Sequence, residues 1–187
     1  MAMLQCTAHA EEDHEHREHS AHEHGSAQLN LAIVGAEVEV ELETPAANIV
    51  GFEHMPSGEA DHHALDEAVA ALKKGDALFR FDPAADCRLI EAAVKSPLLE
   101  EGDHHDEHEE HEKHDEHHDE HEEHEEAHSE FHAHYHFNCT HPAQLSELKV
   151  DLFDQFPATY RLNVQYLIND KQGAVQLEAD HREIHLK

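Results

Sequence analysis

Glu130-Phe131-His132-Ala133-His134-Tyr135-His136-Phe137-Asn138-Cys139 alternates without a break. Phe131, Ala133, Tyr135, Phe137 and Cys139 fall on one set of positions, and His132, His134 and His136 on the other. A period of two is the signature of a β-strand with one face in a core and one in water. The stretch therefore predicts a strand whose apolar side is buried and whose open side carries a row of imidazoles. Side chains at i and i+2 lie ~6.6–6.8 Å apart along a strand. Two imidazoles at that spacing can tilt onto one ion at Zn–N distances of ~2.0–2.1 Å. A solvated strand face is ordinarily Thr, Lys or Glu, so three histidines in register point to ligands.

The same alternation recurs toward the N-terminus. Ala27, Leu29, Leu31 and Ile33 alternate with Gln28, Asn30 and Ala32, and beyond Gly35-Ala36, Val38, Val40 and Leu42 alternate with Glu37, Glu39, Glu41 and Glu43. This is a β-hairpin with an acidic outer face on its second strand, ended by Pro45. Leu65, Ala68, Val69 and Leu72 have helical spacing and predict a helix over 64–74, capped by Ser57 or Asp61 and closed by Lys73-Lys74-Gly75. Short strands are expected at 78–81 and 87–95, a short helix at 142–148 and a helical turn at 152–156. A second hairpin is expected from 160–168 and 174–179 around residues 169–173, and a last strand near Ile184 and Leu186. The sum is an α+β domain: a mostly antiparallel sheet of about seven strands, one helix covering a sheet face, and an inserted His/Asp/Glu-rich loop.

That loop holds much of the chain's unusual composition. The chain has 187 residues, with 12 Lys+Arg, 43 Asp+Glu, 25 His and a formal net charge of -31. Residues 101–130 alone contain 16 acids, 10 His and one Lys, a charge of -15, and residues 1–24 add six His and a charge of -5. The remaining 133 residues carry -11 and have the hydrophobic patterning of a single core. The organisation expected is a leader remnant and His-rich tail over 1–24 and one domain over 25–187, interrupted by a disordered or metal-ordered loop at 101–128 that has too little apolar surface to fold alone. Such a charge excludes nucleic acid, whose phosphates need clustered Lys and Arg, and an anionic membrane surface for the same reason. No apolar run approaches the ~18–20 residues of a membrane-spanning helix.

Within the loop, His108, His111, His114, His117, His121, His124 and His128 recur every three or four residues, with His104, His105 and His118 among them. Acids alone would solubilise; one His in every three residues adds ligands whose binding and ordering are coupled. His124-Glu125-Glu126-Ala127-His128 matches the H-E-x-x-H protease signature. It lacks the apolar helix back such a site needs, and chance supplies the match in so biased a segment. With no phosphate-binding glycine loop and no nucleophile elbow, the chain is read as a metal-binding protein and not an enzyme. In the folded part, His54, His62 and His63 near the helix start are further candidates to complete a site with the strand row.

Export is suggested by Ala8-His9-Ala10, which has the form of a signal-peptidase site. Cys87 and Cys139 then form either one disulfide or two buried thiols, and the exported reading favours the disulfide, whose loop would contain the whole His-rich tract and pin both of its roots.

The run Pro45-Ala46-Ala47-Asn48-Ile49-Val50-Gly51-Phe52-Glu53-His54-x-Pro56 resembles the zinc-regulated periplasmic ZrgA family of Gram-negative bacteria. So do His24-Gly25, Cys87, Cys139 and Leu152-Phe153-x-x-Phe156-Pro157, over nearly all of 22–187. The resemblance implies a periplasmic zinc-binding accessory protein in zinc homeostasis and zinc transport. Such a protein would bind several Zn²⁺ per chain and act beside a zinc ABC importer or its substrate-binding protein. A variable His-rich insertion is typical of that family. Rival classes remain: a zinc hydrolase using Glu130 or Glu53 as base, a nickel- or copper-handling protein, or a metal sensor.

Overall fold

The alternating segments fold as their patterns demand, and the computed structural model describes them over residues 23–99 and 129–187. Ser26–Val34 (β1) and Glu37–Pro45 (β2) pair antiparallel about a two-residue turn, each burying its aliphatic set. Cys87–Lys95 (β4) and Glu130–Cys139 (β5) form a second antiparallel ladder, and β5 also pairs with β2. Arg161–Ile168 (β7) and Lys171–Glu178 (β8) make the last hairpin, tighter than expected, with Asn169 in the left-handed region at φ 52°.

These six strands form one sheet in the order β4-β5-β2-β1-β7-β8. The pairings are mostly antiparallel, as expected, with one exception that makes the sheet mixed: β1 and β7 run parallel, Ser26 opposite Arg161 and Ile33 opposite Ile168. Alternation cannot reveal this, since it is the same for either strand direction. A second sheet, β3-β6-β9, is built from Phe79–Phe81 (β3), Glu147–Val150 (β6) and Glu183–His185 (β9). The described strands thus number nine, against about seven expected. The helix expected over 142–148 is a single 3-10 turn at Pro142–Gln144 followed by β6. Leu148 and Val150 alternate with Glu147 and Lys149, and Asp82 Oδ2 starts the strand by accepting from Ser146 N–H, Ser146 Oγ–H and Glu147 N–H at 2.6, 2.9 and 2.9 Å.

The small sheet covers the inner face of the large one. Phe79 meets Tyr135 edge-on and Phe81 meets Phe137 edge-on, both at 5.0 Å. Among the described residues there are four α-helical segments: Ala46–Ile49 (α1), Glu59–Leu72 (α2), Gly75–Leu78 (α3) and Leu152–Gln155 (α4). The expected covering helix is α2, which starts five residues earlier than its pattern indicated and adds Leu65, Ala68 and Leu72 to the core. Its N-cap is Gly58 without a side-chain bond, and the two expected caps bond one another instead: Asp61 Oδ2 accepts from Ser57 N–H and Oγ–H at 3.1 and 3.2 Å.

The expected disulfide is present between Cys87 and Cys139, which are direct cross-strand partners. It does not pin the roots of the His-rich tract. The tract leaves and rejoins the ladder beyond Lys95 and His132, at the other end from the two cysteines. Eight strand steps put the two ends about 25 Å apart.

Candidate metal-binding face

β5 buries Phe131, Ala133, Tyr135, Phe137 and Cys139 at 3% exposure or less, which fixes the orientation of every residue between them. His132, His134 and His136 therefore line the outer face of the large sheet, as the sequence indicates. Their neighbours follow from register. On β2, Glu43, Glu41 and Glu39 stand opposite His132, His134 and His136, with Glu37 opposite Asn138. On β4, Lys95, Ala93 and Glu91 oppose the same three histidines. A row of imidazoles thus lies beside a row of four carboxylates.

Cross-strand contacts knit the rows together. His136 Nε2 makes a short hydrogen bond with Glu37, whose other oxygen accepts from Asn138 Nδ2 at 2.6 Å. Glu39 reaches both neighbours, lying 2.8 Å from His134 Nε2 through Oε2 and 3.8 Å from His136 Nε2 through Oε1. The 2.8 Å approach has the length of an ion pair without the alignment of a hydrogen bond. His132 Nε2 turns the other way, 3.3 Å from Glu130. The Glu37 hydrogen bond raises the His136 pKa above that of a free imidazole, helped by the charges of Glu39, Glu37 and Glu91, and burial opposes it only partly. The same hydrogen bond holds Glu37 below the usual carboxylate range. Both shifts favour the charged pair.

A shallow depression of about 960 Å³ crosses this face, bordered by Glu39, Glu41 and His134 on one side and by Gln165, Leu167 and Ala174 on the other. A smaller hollow of about 300 Å³ lies between His132, His134, Glu41, Glu43 and Lys95. Among the described residues, no three His, Cys, Asp or Glu side chains converge as a formed metal cage. The donors stand in rows, held by one another.

The other candidates have partners of their own. His54 stacks on Phe52 at 4.9 Å, with Nδ1 2.9 Å from the Met55 carbonyl oxygen. His54 and His62 both act on Asp61, whose pKa is lowered first by the Ser57 N–H bond. His63 sits 3.4 Å from Glu67 on its own helix. His54, His62 and His63 thus each have local partners around the start of α2. His24 Nε2 lies 3.0 Å from Glu53 Oε1. His104, His105, His108, His111, His114, His117, His118, His121, His124 and His128 lie outside the described residues, as do the leader and the N-terminal histidines through His22.

Sequence reasoning missed two groups of residues. Glu37 and Glu39 read as an acidic solvent face, and only the β2–β5 pairing makes them partners of the histidines. Asn48, in the distinctive run 45–56, is 3% exposed and clamps the entry to β1. Its Oδ1 accepts from Gly25 N–H at 2.6 Å, and its Nδ2 donates to Ser26 O and Thr44 Oγ1 at 2.9 and 3.1 Å. Gly25 has φ +84°, and a Cβ there would fall 1.8 Å from the Tyr160 ring, so the His24-Gly25 pair is fixed by close backbone approach. Ala46 N–H donates to Ser129 O at 2.8 Å, which brings the rejoining end of the tract beside the same segment. The run thus gathers the root of the N-terminal tail and one root of the tract at one pole of the large sheet.

Among the described residues, no helix is long and apolar enough to cross a membrane. Compared with known families, the chain matches the model described as ZrgA family zinc uptake protein over residues 21–186. Comparison with curated proteins returns no match.

Proposed function

The chain belongs to the ZrgA family of zinc uptake proteins, and from that premise we propose that it acts in the periplasm as a zinc-binding accessory protein. It scavenges or buffers Zn²⁺ and hands it to a zinc ABC importer or that importer's substrate-binding protein. Zinc is its cargo, several ions per chain, and the reading assigns it no catalytic step. The cross-strand Cys87–Cys139 bond supports an oxidising compartment.

The observation that carries the binding role is Glu39 lying between His134 and His136, with Glu37 on the far side of His136. Two tetrahedral ligands at ~2.0–2.1 Å from Zn²⁺ stand about 3.3 Å from each other. The Glu39–His134 and Glu39–His136 separations of 2.8 and 3.8 Å bracket that value. His134 and His136 are two strand steps apart, ~6.6–6.8 Å along β5, so both imidazoles must tilt inward beside Glu39 to close round one ion. Without metal the His136–Glu37 hydrogen bond favours the charged pair, so zinc entry at His136 displaces a proton. The His-rich tract supplies many weaker, similar ligands that raise the local zinc concentration.

Titration calorimetry on the untagged chain tests this. Deleting 103–128 should lower the zinc stoichiometry and leave one tighter site, and adding His134→Ala and His136→Ala should remove that site. Retention of the tight site after both substitutions refutes the strand assignment, and loss of all binding with the tract alone does the same. Metal content of protein purified without a tag separates zinc from nickel or copper.

A further inference from the structure

The outer face of the large sheet divides in two. Its β5 and β2 half carries the histidines and glutamates. Its β1, β7 and β8 half presents Gln28, Asn30 and Ala32, then Asn163, Gln165 and Leu167, then Gln172, Ala174 and Gln176, register partners in three rows without a charge. In a chain of net charge -31 with 29% charged residues, an uncharged water-facing block is anomalous. Interface centres are depleted of charge in this way, because amides and small side chains are desolvated at lower cost than carboxylates.

Among the described residues, β8 is also an unguarded sheet edge. The opposite edge, β4, is broken by a bulge between Leu89 and Glu91 and carries Arg88, Glu91 and Lys95, devices that discourage strand addition. β8 has charges only at its ends, Lys171 and Glu178, and an unbroken ladder to β7 between them. Glu178 exchanges both backbone bonds with His181, so its N–H and C=O point away from β7. By the alternation of an antiparallel ladder, the N–H and C=O of Gln172, Ala174 and Gln176 point the same way, toward the open edge.

We propose that β8 is a self-association edge: two copies of this chain pair antiparallel through Gln172–Gln176 about a two-fold axis at Ala174, continuing the six-stranded sheet into one of twelve. A two-fold axis normal to the sheet keeps each face on its own side. It sets Ala174 against Ala174 and Gln172 against Gln176 of the second copy, so the backbone groups on the open edge find partners and the side-chain amides face one another.

Charge placement selects a second copy at this edge and not at the other. Through β8, the two β2 glutamate rows end seven strand spacings apart, about 34 Å, several times the ~8 Å screening length of physiological salt. Through β4, the two histidine rows would lie three spacings apart, about 14 Å, with the glutamate rows close behind. The block beside β8 is where two such acidic chains can approach without carboxylates facing carboxylates.

Sedimentation of the full, untagged chain in excess chelator tests the proposal. The expected result is a reversible, concentration-dependent rise from 21.2 kDa to twice that mass. Ala174→Pro removes an outward N–H without touching the β7 ladder, and Ala174→Lys places like charges on the axis. Both should abolish the dimer and keep the circular dichroism and melting of the monomer. Hydrogen exchange at Gln172, Ala174 and Gln176 should slow with rising concentration in the wild type alone. A monomer at every concentration overturns the proposal, as does a dimer that survives both substitutions. Association that appears only with added zinc also overturns it, since that would be metal bridging.

Discussion

Reducing the Cys87–Cys139 bond separates its two potential roles. The cysteines are 52 residues apart in sequence, yet they are adjacent strand partners at the end of a ladder that β5 extends on both sides. Pairing already holds the sulfurs together in the native state, so the bond acts mainly by restricting the unfolded chain. On the chain-entropy relation a loop of that size contributes about 4 kcal/mol. With a urea slope of about 2–3 kcal/mol/M, loss of the bond should lower the unfolding midpoint by about 1.5–2 M. Equilibrium urea unfolding followed by circular dichroism, with and without reductant and on the double variant Cys87→Ala/Cys139→Ala, measures this. Deleting 103–128 halves the loop, so the bond's contribution should fall by only about 0.6 kcal/mol. Because the cysteines sit at the far end of the ladder from the tract's roots, reduction should leave zinc stoichiometry unchanged. A midpoint shift below about 0.5 M, or a bond effect that vanishes with the deletion, refutes the entropic account. A fall in stoichiometry on reduction of the still-folded protein refutes the spatial one.

Asn48→Ala should cost about 2–3 kcal/mol, since it removes three buried hydrogen bonds and orphans the Gly25 N–H and Ser26 carbonyl; thermal melting measures the loss, and a change within ~0.5 kcal/mol rules out the clamp. Zinc affinity at the strand row should fall with acid, beginning above the ~6.5 of a free imidazole, because the Glu37 hydrogen bond raises the His136 pKa. Calorimetry across pH 7.5 to 5.5 checks it, and a flat profile excludes imidazole ligation. In the metal-free protein the pair behaves oppositely. The His136 contribution to stability is complete below the unfolded imidazole pKa and is lost as pH rises through the raised value. The Glu37 contribution is present above the unfolded carboxylate pKa and is lost as pH falls through the lowered one. Melting should therefore show His136→Gln costing more near pH 5.5 than at pH 8, and an equal cost at both excludes the pairing.

The sequence by itself determined which residues face inward. Phe131 to Cys139, Ala27 to Ile33 and Val38 to Leu42 each declare a buried set and an open set, and the open set of β5 is the histidine row. It also determined the family, since the run from Pro45 to Pro56 is specific. Where periodicity was short, it was ambiguous: Leu145, Leu148 and Val150 fit a brief helix about as well as a strand, and only the edge offered by β3 and Asp82 made Glu147–Val150 extended. Tertiary structure alone decided the neighbours. That β1 lies parallel to β7, that Glu37 and Glu39 stand beside His134 and His136, and that the disulfide lies far from the tract's roots are facts of pairing and register between segments up to about 135 residues apart. Alternation fixes the face a side chain points to and carries no information about the strand beside it. The proposed metal site draws donors from two strands, so the sequence could supply the histidines, and only the fold could supply the carboxylates beside them.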